Sequence, residues 1–313
     1  MLAETDAGSR ACYNSLVGGL PRIAGLLAVL ALFLPAAASA YSWPLRPFTQ
    51  PHAVRGYFND PRILGTSLSF HFGIDVCGPD LAPVYAVEAG RAHVRGQAVT
   101  VLSQSGREFS YWHIFPAVRQ RQRVARHQVI GRIVPGHGHV HFAERQGRMY
   151  VNPLRLGALA PYVDDTVPLI PALTFYSGGL PIGPDLVTGL VDVTVDAYDL
   201  SPTPLPPPPW AEARLSPAFI RWRIVQDGNV IRRWETAVDF RLDHPLPSFF
   251  DSIYAPGTFM SRPNRPGRNE FYLAHNFESS TLPDGSYRLQ VEALDIQENV
   301  GRASFAFIVT NLP

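Results

Sequence analysis

The chain has 313 residues, 46% of them hydrophobic and 17% charged, with a formal net charge of +1. Such a composition builds packed cores and excludes a disordered chain. A charge so near zero gives no electrostatic case for nucleic acid or for an acidic membrane surface. All 27 basic residues are arginine, a bias of the kind codon usage produces, and it is given no functional weight.

Residues 1–40 read as a cleaved signal peptide. An apolar run from Ile23 to Leu34 follows Arg22 and precedes PAAASA, and Ala38-Ser39-Ala40 is an A-x-A cleavage pattern. The run is shorter than the roughly 20 residues a bilayer span needs. Cleavage there leaves Tyr41 first. Cys12 departs with the leader, so Cys77 remains alone and no internal disulfide can form. No lipobox follows. The expectation is an extracytoplasmic protein (periplasm, cell wall or secreted) with no stable membrane span after cleavage.

From Tyr41 to Val163, short β-type runs are broken by glycine and proline: VYAVEAG, AVTVLSQSG, EFSYWHI and VIGRIV. No long window keeps a helical period, so residues 41–163 are expected to be an antiparallel, mainly β domain. A stretch rich in proline and glycine follows, and residues 164–188 are assigned as a linker. Beyond it, residues 189–313 alternate strongly. LVDVTVDAYDL is a strand, PTPLPPPP is a stiff polyproline loop, and AFIRWRIVQDGNVIRRWE is a hairpin turning at Asp227-Gly228-Asn229. Strands at this spacing predict a β-sandwich. The half resembles the immunoglobulin-like or fibronectin-like accessory domains of exported bacterial proteins, most clearly in DGSYRLQVEALD; that likeness implies nothing about activity.

The reactive side chains gather in three stretches of the first domain. SFHFGIDVCGP carries His71 and Asp75 on one face of a strand pattern, about 13 Å apart if the segment is straight. One ion could take both only if the chain bends near Gly73, and glycine in a strand often marks a bend. SYWHIF contributes His113. PGHGHVHFAE sets His139 and His141 two residues apart, with His137 before them. Imidazole and carboxylate suit zinc, which in catalytic sites takes three protein ligands and leaves a position open. Taken singly, each motif has an ordinary reading. HxxxD arises by chance, and His113 beside aromatics is most simply a core histidine.

Together and in this order, HFGIDVCGP, PVYAVEAGRAHV, YWHIF, VIGRI, HVHF and Asn152-Pro153-Leu154 resemble the lysostaphin-type (LytM-like) zinc metallopeptidases over roughly Arg55 to Leu156. The resemblance implies an exported endopeptidase that cuts peptide bonds of bacterial peptidoglycan through a zinc-activated water. It implies Zn2+ held by His71, Asp75 and His141 in a groove, with His113 and His139 as catalytic groups sharing the general-base and oxyanion roles. Peptidoglycan peptides are the implied partner, and the oligomeric state is left open. The chain departs from the family at Gly136-His137-Gly138, where Thr-Gly-Pro is common, and at Ala143, where Glu is common and here comes one later as Glu144. Ala125-Arg126-His127-Gln128 replaces a glycine-bearing turn. None of these removes a ligand.

Cys77 reads as a buried filler, His137 as a solvent-exposed loop residue, and the arginines of VRQRQRVAR as a solvated face. Asn59, in GYFNDPR, stands where some relatives occlude the metal. The alternative function is a non-catalytic protein of the same fold that binds the cell wall or activates another hydrolase. A third reading is a zinc carboxypeptidase or amidase on a related scaffold.

Overall fold

Strand periodicity governs the fold as it governs the sequence: every paired strand is antiparallel and the architecture is mainly β. The computed structural model describes residues 40–206, 210, 212–242 and 244–311, so the expected signal peptide lies outside the described residues. Among the described residues the α-helix is the single turn Phe250–Ile253, and no helix is long and apolar enough to cross a membrane.

The sheet that matters most has eight strands. Its spatial order is Val54–Gly56, Ile74–Cys77, His139–Gln146, Arg107–Trp112, Ala98–Ser103, Gly90–Arg95 and Arg123–Val124, with Met149–Val151 beside His139–Gln146. Side chains alternate across a strand. Val140 and Phe142 therefore join Ile74, Val76, Val99, Val101, Phe109 and Tyr111 in a core that is closed to solvent, while His139 and His141 are left facing the opposite side. A three-stranded sheet (Pro83–Tyr85, Val129–Ile133, Ile114–Pro116) contributes Val84, Ile114, Ile130 and Ile133 to the same core.

Two four-stranded sheets form the second half. One orders Leu180–Ile182, Leu169–Ser177, Leu190–Tyr198 and Glu270–Glu278; the other orders Asn229–Asp239, Phe219–Gln226, Gly285–Leu294 and Val300–Val309. Val191, Val193 and Val195 from the first meet Ile220, Trp222, Leu289 and Val291 from the second in one core. The hairpin turning at Asp227-Gly228 closes as the sequence suggests, with Gln226 opposite Asn229.

Three segments differ from the sequence reading. Within 164–188, assigned above as linker, Leu169–Ser177 and Leu180–Ile182 are strands paired into the sandwich. Proline and glycine there mark strand ends rather than an unpaired connection. SFHFGIDVCGP is two strands rather than one. Ser67–Phe70 pairs with Pro61–Leu64 in a hairpin, and the chain bends at Phe72-Gly73 before Ile74–Cys77 enters the large sheet. His113 lies between strands, with a left-handed φ of 62°.

The hairpin is seated on the second half. Phe70 is buried against the rings of Phe240, Phe250 and Tyr254 at 5.4–6.0 Å. The Tyr254 hydroxyl donates to the Asn59 carbonyl at 2.8 Å, and the Ser216 amide donates to Asp60 Oδ1 at 2.7 Å. Phe70→Ala is expected to cost about 3–5 kcal/mol, as for other fully buried aromatics; urea unfolding checks this, and a loss under about 1 kcal/mol would show that the seat is dispensable.

Candidate metal centre

Register alone brings two of the candidate ligands together. His141 lies directly opposite Asp75 on one side and Trp112 on the other, and directly opposed residues on a sheet face have Cβ atoms about 5 Å apart. His71 reaches them through the bend. A Cβ on Gly73 would lie 2.4 Å from the Phe142 carbonyl oxygen and 2.9 Å from His141 Nε2, so only glycine lets the chain turn so close. Beyond the bend, His71 N donates to the Asp60 carbonyl and His71 O accepts from Asn59 N, at 2.9 and 2.8 Å.

The result is a triangle of donor atoms. His71 Nε2 is 2.7 Å from His141 Nδ1 and 3.1 Å from Asp75 Oδ1, and His141 Nδ1 is 3.2 Å from Asp75 Oδ1. The other nitrogen of His71 decides what faces the centre. Nδ1 is 2.8 Å from the Tyr57 carbonyl, which can only accept, so Nδ1 carries the proton. Burial pushes the His71 imidazolium down to about 3, with Arg62 adding to the effect, so the ring is neutral and Nε2 points a lone pair at the carboxylate. Burial works against the Asp75 carboxylate, yet the Arg62 guanidinium and the hydrogen bonds around it outweigh burial and hold the group well below its usual range. With His71 neutral, the standing positive charge is the Arg62 guanidinium, which donates to Asp75 Oδ2 at 2.9 Å.

A neutral imidazole lone pair beside an ionised carboxylate is repulsive unless a shared proton or a cation lies between them; the Nδ1 proton of His141 can fill that place, and a metal ion that displaces it meets three donor atoms already aimed at it. Tetrahedral zinc with bonds of about 2.0–2.1 Å separates its ligand atoms by about 3.3 Å, close to the spacing seen. The donor set thus fits zinc, and a backbone carbonyl fixing the far nitrogen of a ligand histidine is the usual outer support of such a site. His141 Nε2 is buried without a partner against the Gly73 bend.

His139 and His113 flank the triangle. His139 Nε2 is 3.5 Å from Asp75 Oδ1, and the rings of His113 and His139 are 4.9 Å apart. Burial pushes each imidazolium down to about 4, helped at His113 by the neighbouring histidines; both rings are neutral at neutral pH. Two contacts compete for His139 Nδ1: Arg55 Nη2 at 2.7 Å, which can only donate, and the His137 carbonyl at 2.8 Å, which can only accept. One tautomer serves each, and the choice sets whether Nε2 offers a lone pair or a proton.

Other residues fall into place around these five. His137 is not a free loop residue: it is half-buried and stacks on His113 with centroids 4.3 Å apart at 14°. Its turn is held by Asp80, whose carboxylate accepts from the Gly136 and Gly138 amides at 2.7 and 3.0 Å. Cys77 is buried opposite His139, and burial pushes its thiol up to about 11, which makes it a poor ligand. Asn59 turns its Oδ1 to His244 Nδ1 at 2.8 Å. Glu144, one residue after the expected place, is fully buried in a cluster with Tyr41 and Arg155.

Arg55, Arg62 and Trp210 also belong to the centre, and no local motif marks them. Arg55 sits over the Trp210 ring at 4.2 Å, and together with Arg62, Arg214, Asp75 and His139 they line a pocket opening beside the triangle. Trp210 arrives on the proline-rich segment, whose Leu205 packs near Cys77. No pattern in the sequence pairs residue 55 with residue 210.

No protein-family model matches the sequence, and no curated protein matches it. Similar solved structures include the catalytic domain of lysostaphin from Staphylococcus simulans, at 24% identity over 30% of this chain and 78% of that one, with a TM-score of 0.26. They also include a catalytic domain of the prophage-encoded M23 protein EnpA from Enterococcus faecalis (24% identity, 39% and 99% coverage, TM-score 0.30). A third is the SpoIIQ–SpoIIIAH pore-forming complex (22% identity, 37% and 90% coverage, TM-score 0.33). The neighbours are thus M23 or LytM-type peptidases and components of a pore-forming complex, and nothing about activity follows from them.

Gly73→Ala is expected to weaken zinc binding at least about tenfold by forcing apart the bend and the His141 strand. Competition with a chromophoric chelator measures it; unchanged affinity would show that the close approach does not set the triangle.

Proposed function

We propose that the protein is an extracytoplasmic zinc endopeptidase acting on the peptides of bacterial peptidoglycan. The observation that carries the reading is the convergence of His71 Nε2, His141 Nδ1 and Asp75 Oδ1 within 3.2 Å, with two further neutral histidines alongside. The peptidoglycan substrate rests on the ordered motifs from HFGIDVCGP to Asn152-Pro153-Leu154. Export rests on the leader sequence.

His71, Asp75 and His141 would hold the zinc, which would supply a Lewis acid for a peptide carbonyl and for the attacking water. The chain does the rest. His139 and His113, poised as free bases, divide two tasks: one takes the proton of the attacking water, and the other donates to the oxyanion that forms on the carbonyl. With Nδ1–H turned to the His137 carbonyl, His139 is the base; with Nδ1 accepting from Arg55, it is the donor. The aromatic side of the site, where Phe72 contacts His141, Trp112 and Tyr150, offers apolar walls for a peptide backbone. The pocket beside the triangle, with Arg55, Arg62 and Arg214, offers cations to the free carboxylates that peptidoglycan stem peptides carry.

His113→Ala and His139→Ala are each expected to keep full zinc occupancy while losing about 100-fold or more in cleavage rate. His71→Ala and His141→Ala lose both. Mass analysis of muropeptides digested by each variant measures the effect and identifies the bond. Full zinc binding with no cleavage of any muropeptide by the wild type would instead support a wall-binding or hydrolase-activating protein. Because burial already holds both rings at about 4, cleavage should stay flat on lowering the pH to about 5 and fall only below it, as the bases gain protons. A midpoint near the ordinary histidine value would contradict the role given to these two residues.

A further inference from the structure

Away from the histidines, three carboxylates from distant parts of the chain meet in the interior. Asp164 precedes the strand Leu169–Ser177, Asp199 follows Leu190–Tyr198, and Asp295 follows Gly285–Leu294. Their ligand atoms lie within 4.8 Å of one another, and the three residues are 7%, 1% and 2% exposed. The charges facing Asp199 are those of Asp164 and Asp295, with no arginine among them.

All but one of the six carboxylate oxygens have donors. Asp164 Oδ1 accepts from Thr166 N and Oγ1, and Oδ2 from the hydroxyls of Tyr162 and Tyr57. Asp295 Oδ1 accepts from the Gln297 and Asn299 amides, and Oδ2 from Asn299 Nδ2. Asp199 Oδ1 accepts from Leu200 N at 2.8 Å. Asp199 Oδ2 is buried and has no partner among the described residues. A buried carboxylate with one oxygen unpaired, in a cluster with two more carboxylates, is costly unless positive charge arrives. A proton on Asp199 neutralises one charge and leaves two carboxylates in contact; a divalent ion neutralises two and gives Oδ2 its partner.

We propose that Asp164, Asp199 and Asp295 hold a hard divalent cation, calcium by the chemistry of the donors. All are oxygens, as hard cations require, and calcium bonds of about 2.4 Å span a group of atoms within 4.8 Å of one another. Magnesium, which keeps its waters, suits so closed a site less well. The ion ties the segment at Asp164 to the ends of both sandwich sheets. It also braces the centre described above: the Tyr57 hydroxyl contacts Asp164, and the Tyr57 carbonyl holds His71 Nδ1. The site stands independently of the peptidase reading.

The test is a calcium chloride titration of the metal-stripped full-length chain at neutral pH, by calorimetry and by thermal unfolding. The expected result is one calcium per chain and a rise of several degrees in Tm. Asp199→Asn should lose at least tenfold in affinity and the Tm response, while His141→Ala keeps both, which separates this site from the histidine centre. Should Asp199→Asn fail to fold, Asp295→Asn gives the same reading. A wild-type chain with no calcium response overturns the proposal and leaves a protonated Asp199. So does an equal response in Asp199→Asn, which places any bound calcium elsewhere.

Discussion

A neutral imidazole lone pair held against an ionised carboxylate is the constraint from which the site follows. Tyr57 fixes the proton of His71 on the far nitrogen, burial keeps the ring neutral, and Arg62 keeps Asp75 charged. Together they set a lone pair against a carboxylate, the arrangement a cation needs. Sheet register then delivers His141 opposite Asp75, and the Gly73 bend brings His71 across to both. The arrangement is built by backbone first and side chains second.

That backbone is supported from outside its own sheet. The segment from Tyr57 to His71 is short of partners in the large sheet and long on partners in the sandwich, through Phe70, Tyr254, Ser216 and His244. A ligand placed on a hairpin is less fixed than one on a central strand. The second half therefore acts on the centre mechanically, by seating the hairpin that leads into His71. The proline-rich segment adds Trp210 beneath Arg55 and so bears on the tautomer of His139. A sandwich that resembles an accessory domain in sequence is in this chain part of what positions the candidate metal centre.

Much of this was legible in the residues. Alternation located most strands, the Asp-Gly turn located the hairpin at 227–228, and the requirement for a bend at Gly73 was stated by the spacing of His71 and Asp75. The candidate ligands and the two flanking histidines come together where the motifs place them. What was not legible has a common cause. Arg55, Arg62 and Trp210 act through contacts between residues far apart in the chain, and no local period encodes them. His137 looked exposed because glycine surrounds it, yet Asp80 caps its turn and presses it onto His113. The segment 164–188 looked like a linker because proline and glycine punctuate it, while its apolar residues, Phe175 above all, pack in the sandwich core. The acidic cluster spans three segments that share no motif.

The most direct measurement is a structure of the zinc-loaded protein with anomalous data at the zinc edge. A single strong peak bonded to His71 Nε2, His141 Nδ1 and the Asp75 carboxylate, with His113 and His139 within reach but unbonded, is the expected result. Zinc bound at other residues, or held by His139 in place of His141, would contradict it.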